Sequence, residues 1–265
     1  MFPFIDLGFY QLPTYGLSIL VGLLLAFFFL WKFPIKKSSN IKKDDCFYAF
    51  IFGLIGVFLG AKLLYILVNL SEIIAEIKTG NTNFKYISEI FFSGFVFYGG
   101  LIGGIIGVFI YTKIYKFQFL EMLDKLIFIV PLMHAFGRIG CFLAGCCYGT
   151  PVHFGLEFNE SPFAPHNEKL LPTQLIEAIF NFLLFILLFY LSHKKDALLN
   201  KKNGYLVFIY LPIYAIMRFI LEFFRYDSLR GIYFNLSTSQ WISIALIIIT
   251  AIYWINYKKN PIIKK

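Results

Sequence analysis

The chain has 265 residues, of which 59% are hydrophobic, 20% aromatic and only 15% charged, and its mean hydropathy is +0.73. This balance excludes an ordinary soluble globular domain and indicates an integral membrane protein. The formal net charge of +9 would suit a nucleic-acid-binding protein, but the lysines follow the ends of apolar segments. That distribution is typical of a membrane topology signal, so we expect no nucleic-acid partner.

Seven apolar segments are each long enough to cross a bilayer, which requires about 20 residues. They predict an all-α, polytopic protein with about seven transmembrane helices, built as a single transmembrane domain over residues 1–265. Residues 70–90 and 148–172 are the longest loops, and each has room for an interfacial helix but not for a soluble domain. The predicted spans cover residues 12–32, 46–68, 91–112, 126–145, 173–192, 204–224 and 239–257.

The distribution of basic residues predicts the orientation of these spans. The first residues lack the basic region and cleavage site of a secretory signal, so we expect the first helix to remain as an anchor. By the positive-inside rule, the N-terminus lies outside and the C-terminus in the cytoplasm. Sixteen lysines fall on the predicted inner side, against five basic residues on the outer side: Lys78, Lys85, Lys169, Arg225 and Arg230.

Residues 134–149, HAFGRIGCFLAGCCYG, carry an arginine into an apolar run. An arginine at the centre of a membrane helix costs roughly 2.5 to 3.5 kcal/mol on insertion scales, and it therefore indicates a functional site with a partner group. In a helix, His134, Arg138 and Cys141 would lie along one side. The glycines of this stretch would let a second backbone or a ligand approach closely, so we expect it to line a cavity.

Polar residues of five other predicted spans fall at the same depth as Arg138, in the outer half of each helix. Scattered polar residues would not agree in depth, so the pattern predicts one polar cavity near the outer leaflet, with about three cations and one carboxylate. Its positive balance favours an anionic ligand, and a phospholipid headgroup is the abundant candidate. The other residues are Tyr15, Lys62, Tyr98, Gln174, Arg218 and Glu222.

Several of these residues also suit a purely structural role. Tyr15 fits an interfacial aromatic belt, and Lys62 is within reach of the interface by snorkelling. Arg218 and Glu222, four residues apart, could simply pair with each other. Glu177 is favourably placed in the first turns of a helix beginning near residue 172, which accounts for a carboxylate there without a functional role.

Two further groups of small residues have more than one interpretation. Gly99 begins a stripe of glycines that continues at Gly103 and Gly107 and suits close helix packing. Cys141, Cys146 and Cys147 suit small buried apolar positions, although an oxidising compartment would permit a disulfide. A helical separation of five puts the first two on different faces, so their pairing requires a break at Gly145. A metal site is the weakest alternative, because no paired C-x-x-C or H-x-x-x-H spacing is present.

Motifs along nearly the whole chain resemble the bacterial prolipoprotein diacylglyceryl transferases, with GCCYG as a variant of the signature. The likeness rests on the order and joint presence of seven segments from about Tyr15 to Trp241, which are TYGL, GAKLLYIL, FYGGLIGG, GRIGCFLAGCCYG, LPTQLIEA, RFILEFFRYD and LSTSQW. Matched by position, Tyr15, Arg138, Gly149, Arg218 and Glu222 correspond to residues that the family needs for activity, and Gln174 and Arg225 to motif positions.

The sequence departs from the common family pattern at four positions. Tyr98 stands where many members have histidine, Cys141 where they have asparagine, Cys146 where they have an acidic residue, and Lys62 where arginine is usual. These changes leave the identity of the proton acceptor open.

The resemblance implies transfer of the diacylglyceryl group of phosphatidylglycerol to the lipobox cysteine of a prolipoprotein, in the bacterial inner membrane and at its outer leaflet. It implies Arg138 and Arg218 at the phosphate, Glu222 orienting Arg218, and Tyr98 or Tyr15 holding the headgroup or relaying the thiol proton. We expect no cofactor and no metal. The headgroup-binding residues are expected to be Arg138, Arg218, Lys62, Gln174, Arg225, Gly99 and Gly149.

Three other functions remain open from the sequence. A lipid transporter or lipid-binding protein could use the same cationic cavity without bond breaking, although the inverted repeats typical of transporters are not evident. A membrane thiol-redox protein would depend on the cysteines. A family paralogue could use a different acceptor.

Overall fold

A computed structural model of the protein describes residues 2–8, 11–33, 40–79, 90, 94–194, 203–226 and 231–259. In these ranges the chain forms nine α-helices and three two-stranded antiparallel sheets. The helices are α1 (Thr14–Lys32), α2 (Lys43–Val68), α3 (Leu70–Lys78), α4 (Phe97–Ile114), α5 (Phe119–Leu126), α6 (Ile129–Ala144), α7 (Thr173–His193), α8 (Val207–Leu221) and α9 (Thr238–Lys259). The paired strands are β1 (Phe4–Asp6) with β2 (Gln11–Pro13), β3 (Pro151–Glu157) with β4 (Lys169–Leu170), and β5 (Ile232–Tyr233) with β6 (Leu236–Ser237).

The predicted all-α membrane class is confirmed. Six of the described helices are long and apolar enough to cross a membrane, and α5 with α6 makes a seventh span if this bent pair is counted as one. The predicted and observed bounds agree to within a few residues at most ends, because bilayer thickness sets the length of the apolar run. Several lysines of the charge count lie outside the described residues: Lys36, Lys37, Lys85, Lys195, Lys201, Lys202, Lys264 and Lys265.

The fourth predicted span, residues 126–145, is not one continuous helix. The chain bends by 50° between α5 and α6, at residues 127–128, which precede Pro131. Pro131 is the third residue of α6, where its missing N–H costs no helical hydrogen bond. Asp124 and Lys125 lie in the last turn of α5.

By its contacts the described chain divides into two compact units, Met1–Ser38 with Asp124–Lys265, and Ser39–Leu123. A single domain therefore stays a prediction. In the first unit α1 packs on α6, α6 on α7, and α8 on α9. The buried face of α1 repeats every four residues, from Thr14 to Leu30, and a Cβ on Gly22 would lie 2.6 Å from the Cβ of Phe136. A small residue is therefore required where these two helices cross.

Polar side chains in the first unit satisfy backbone groups that the helices leave unpaired. The Asp124 carboxylate accepts hydrogen bonds of 2.7 to 3.2 Å from the four N–H groups of residues 204–207, at the start of α8. Pro212 lies inside α8 and cannot donate to the carbonyl of Phe208, and the indole of Trp254 donates to that oxygen at 3.4 Å. Both contacts meet the requirement for internal pairing within a bilayer.

In the second unit, α2 and α4 pack through their glycines. A Cβ on Gly103 would collide with the carbonyl oxygen of Gly56, and one on Gly99 with that of Gly60. The two backbones are therefore in direct contact, as the small-residue stripe predicts. Close packing accounts for Gly99, and its contact with a headgroup stays a prediction.

The two long loops differ in structure. Residues 70–78 form the helix α3, as expected, while 80–89 lie outside the described residues. Residues 148–172 contain the β3–β4 sheet and no helix, although the loop has room for an interfacial helix. The short strands do not show an alternation long enough to be recognised from sequence.

We expect Gly103→Ala to lower the free energy of unfolding by about 1 to 3 kcal/mol, because the added methyl group must push α2 and α4 apart. Thermal unfolding in detergent measures the change. Gly16→Ala is the control, since no atom lies within 4 Å of a Cβ built there. Equal melting temperatures for the two variants would contradict the backbone contact.

Candidate active site

The buried carboxylate of Glu177, on α7, is the centre of the site. Its Oε2 lies 3.0 Å from Nε of Arg138 and 3.4 Å from Nη1 of Arg218. Its Oε1 lies 3.5 Å from Nε2 of His134 and accepts a hydrogen bond from the Tyr214 hydroxyl at 3.4 Å. Four groups from α6 and α8 thus converge on one carboxylate of α7.

Arg218 connects this carboxylate to a second one. Its Nη2 lies 2.7 Å from Oε2 of Glu222 and donates to the hydroxyl of Ser239 on α9 at 3.2 Å. Arg225 Nη1 lies 3.9 Å from the same Glu222 oxygen. The Arg218–Glu222 pair predicted from the spacing of four is therefore present, and the predicted proximity of Arg138 and Arg218 is confirmed.

The side chains of the site differ in their exposure to solvent. The side chains of Arg138 and His134 are 15% and 16% exposed, whereas those of Glu177 and Glu222 are each 2% exposed. Among the described residues, Glu177 is the one residue with which Arg138 forms an ion pair or hydrogen bond. Because Arg138 makes its close contact through Nε, its terminal nitrogens remain suited to an anionic ligand.

The structure corrects the predicted charge balance. The site holds two carboxylates rather than one, against the guanidinium groups of Arg138, Arg218 and Arg225. Glu177 is the residue that sequence reasoning missed. Its position five residues into the apolar segment was a usable signal, because an ionisable group inside a membrane helix indicates a functional site.

Gln174 and Thr173, at the start of α7, bind the turn that follows α6. Gln174 Nε2 donates to the carbonyl of Cys146 at 2.7 Å, and the Thr173 hydroxyl donates to that of Cys147 at 2.8 Å. The first helical residue is Thr173, and no side-chain cap is formed at Pro172. Gln174 therefore binds the turn that follows the Arg138 helix, and its contact with a headgroup stays a prediction.

Gly149 lies where three segments cross. Its N–H donates to the carbonyl of Leu171 at 2.9 Å, and it forms an antiparallel bridge with Arg225. A Cβ there would lie 2.7 Å from both Phe224 O and Thr173 Cγ2. Glycine is thus required for the crossing that places Arg225 beside α7.

Tyr15 lies against the Arg138 helix. A Cβ on Gly140 would be 3.0 Å from Cδ2 of the Tyr15 ring, so the ring covers the glycine two residues after Arg138. The tyrosine is 43% exposed. Tyr15 therefore lies against α6 and is partly accessible, and its contact with a headgroup stays a prediction.

Lys62, Tyr98 and Gly99 belong to the second unit, and their part in the site stays a prediction. Lys62 Nζ lies 3.5 Å from the carbonyl of Gly94 and 4.9 Å from the centroid of the Phe95 ring. The ring of Tyr98 contacts that of Phe97 at 5.7 Å between centroids.

The described cysteines are all free. The sulfur atoms of Cys141, Cys146 and Cys147 lie within 4.8 Å of one another. The neighbouring thiols of Cys141 and Cys146 lower the pKa of Cys147. The sequence favours small buried apolar positions for these cysteines and does not predict that their sulfur atoms lie close together.

We expect Glu177→Gln to lower the free energy of unfolding by roughly 3 to 5 kcal/mol, because it leaves the buried Arg218 and the half-buried Arg138 without their shared carboxylate. Thermal unfolding followed by tryptophan fluorescence measures the loss. Glu168→Gln, at an exposed position of the same unit, should change stability by less than about 0.5 kcal/mol. Indistinguishable melting temperatures would refute the central role of Glu177.

Comparison with known proteins identifies the family of the chain. Residues 3–256 match the family described as prolipoprotein diacylglyceryl transferase. The chain is similar to phosphatidylglycerol–prolipoprotein diacylglyceryl transferases, with 44% identity over 89% of both chains for Clostridium tetani. For enzyme 2 of Clostridium perfringens the identity is 38%, over 90% of this chain and 88% of the relative. For the Finegoldia magna enzyme the identity is 32%, over 94% of this chain and 92% of the relative. The chain therefore belongs to the prolipoprotein diacylglyceryl transferase family.

Proposed function

We propose that the protein is a transferase that moves the diacylglyceryl group of phosphatidylglycerol to the lipobox cysteine of a prolipoprotein, the first step of bacterial lipoprotein maturation. The observation that carries the proposal is Arg138, held through Nε by Glu177 and partly exposed. Membership of the family and the names of the relatives support the reaction. Phosphatidylglycerol and a prolipoprotein are then the substrates, and the chain is a multi-pass membrane protein.

The reaction replaces a carbon–oxygen bond with a carbon–sulfur bond. The cysteine sulfur attacks the diacylglyceryl carbon that is bonded to the phosphate oxygen. The bond between that carbon and the oxygen breaks, and glycerol phosphate leaves with its electron pair. Arg138 binds the phosphate oxygens through its terminal nitrogens and stabilises the charge that develops on them. Glu177 fixes the guanidinium in place, so little reorganisation is needed when the lipid binds.

Arg218 has a different role in this proposal from the direct phosphate contact suggested by the resemblance. Its terminal nitrogens contact Glu177, Glu222 and Ser239. Arg218 therefore positions Glu177 and adds positive charge to the site without contacting the phosphate. Glu222 orients Arg218, and Arg225 adds charge beside Glu222. Tyr15, over Gly140, is placed to contact the headgroup.

His134 is the residue we propose as acceptor of the thiol proton. It is one turn from Arg138, its Nε2 faces Glu177, and it is as exposed as Arg138. A neutral imidazole can accept a proton, whereas tyrosine, with an unperturbed pKa near 10, is a poor base at neutral pH. The carboxylate would orient the imidazole and stabilise its protonated form.

We place the protein in the bacterial inner membrane, with the N-terminus outside and the site facing the outer leaflet. The lysine distribution supports this orientation. The acceptor cysteine of a prolipoprotein follows a membrane-embedded signal segment, so a site opening at that leaflet brings thiol and lipid together.

We expect Arg138→Ala to reduce transfer by roughly 100-fold or more, because the leaving phosphate loses its principal cation. The assay is the mass gain of one diacylglyceryl unit on a lipobox peptide incubated with purified protein and phosphatidylglycerol. Lys169→Ala, at the exposed position of strand β4, is the control. Undiminished transfer by the arginine variant would refute the assignment.

The same assay separates the other functions. A lipid-binding protein or transporter would bind phosphatidylglycerol without changing the mass of the peptide. A paralogue would modify a different acceptor, and a thiol-redox protein would lose its activity when the cysteines are changed to serine.

His134→Gln should lower kcat with little change in KM, and its rate should rise with pH as the substrate thiol ionises near pH 8.5 without help. Steady-state rates between pH 6 and 9 test this. The exposed His153→Gln should keep the profile of the unmodified protein. A variant profile parallel to that control would rule out His134 as the base.

A further inference from the structure

The turn after α6 brings together the thiols of Cys141, Cys146 and Cys147. Gly145 has a positive φ of 75°, its N–H donates to the carbonyl of Phe142, and the N–H of Cys146 donates to that of Cys141. These two bonds define a Schellman motif, which reverses the chain at the end of a helix. The reversal carries Cys146 back over Cys141 although the two are five residues apart.

The same turn is held firmly from outside. Cys147 has φ of 62°, which is uncommon for a residue other than glycine and is found at positions that the surrounding structure enforces. The carbonyls of Cys146 and Cys147 accept the hydrogen bonds from Gln174 and Thr173. A Cβ on Gly145 would contact Ser161, so the loop cannot relax there. The backbone that carries the three cysteines is therefore held by contacts with α7 and with Ser161.

We propose that Cys141, Cys146 and Cys147 form a three-thiolate binding site for a thiophilic d10 metal ion, Zn²⁺ or Cu(I). A metal about 2.3 Å from each of three sulfurs separates them by about 3.8 to 4.0 Å, and the three sulfurs lie within 4.8 Å of one another. Soft thiolates favour these ions over the hard cations Mg²⁺ and Ca²⁺. Among the described residues this is the one His, Cys, Asp and Glu group with such spacing.

Access and charge are also suitable. Cys141 is buried, while Cys146 and Cys147 are half-buried, so an ion reaches the site from the side of the turn. Binding releases the three thiol protons to solvent. The resulting negative charge lies near the guanidinium groups of Arg138 and Arg225, both of which interact electrostatically with Cys147.

Equilibrium dialysis of the reduced full-length protein in detergent tests the site, with Zn²⁺ and, in a separate anaerobic arm, Cu(I). We expect one ion per chain, with X-ray absorption showing three sulfur ligands, at about 2.3 Å for zinc. A fourth, lighter ligand is expected for Zn²⁺ and none for Cu(I). Cys146→Ser and Cys147→Ser should each abolish stoichiometric binding, whereas Cys46→Ser, which changes the fourth cysteine of the chain, should not.

Alkylation followed by mass spectrometry provides a test that needs no variant. Bound Zn²⁺ should protect Cys141, Cys146 and Cys147 from alkylation and leave Cys46 unprotected. The proposal is overturned by metal bound at Cys46, by coordination through nitrogen and oxygen alone, or by unchanged alkylation. A disulfide among the three cysteines in protein freshly isolated from membranes would overturn it as well, because it removes two ligands. None of these readouts depends on transferase activity.

Discussion

The Glu177 carboxylate is the constraint on which the rest of the site depends. A charged group buried in a membrane protein is tolerated only when it is paired and hydrogen-bonded. Glu177 satisfies both conditions through Arg138, Arg218, His134 and Tyr214. Each arginine in turn requires a carboxylate, so the positions of α6, α7 and α8 are coupled through one group. Ser239 extends the coupling to α9 through Arg218.

The two units use different means to hold helices together in the absence of a hydrophobic driving force between them. In the second unit, α2 and α4 rely on backbone contact at Gly56, Gly60, Gly99 and Gly103. The first unit adds buried ion pairs and side-chain hydrogen bonds to backbone. Such pairs fix relative positions strongly, because removing either partner leaves an uncompensated charge. Polar pairing of this kind suits a site whose groups must keep a fixed geometry.

The sequence was sufficient for the spans and for much of the site. Bilayer thickness imposes a run of about 20 apolar residues on each span, and a charged residue inside such a run is conspicuous. Arg138, Arg218 and Glu222 were therefore recognisable, as was the tight packing of Gly99. Glu177 was missed despite the same signal, because its place near the start of α7 offered a sufficient explanation in the helix dipole.

Features that depend on tertiary structure could not be predicted from the sequence in the same way. The cysteine cluster depends on the left-handed Gly145 and the Schellman bonds that follow it, whereas helical spacing alone separates Cys141 from Cys146. The crossing at Gly149 depends on segments more than twenty residues apart, around Leu171 and Phe224. The β3–β4 pairing has a register shift between Pro151 and Leu156, which leaves no regular alternation to detect.

The charges of the site agree with the course of the proposed reaction. Three guanidinium groups and two carboxylates leave one positive charge, which matches the single negative charge of a phosphodiester headgroup. The leaving glycerol phosphate is a monoester and carries close to two negative charges at neutral pH. If His134 takes the thiol proton, the site gains a second positive charge in the same step. The proton transfer thus supplies, one helical turn from Arg138, the charge that the leaving group requires.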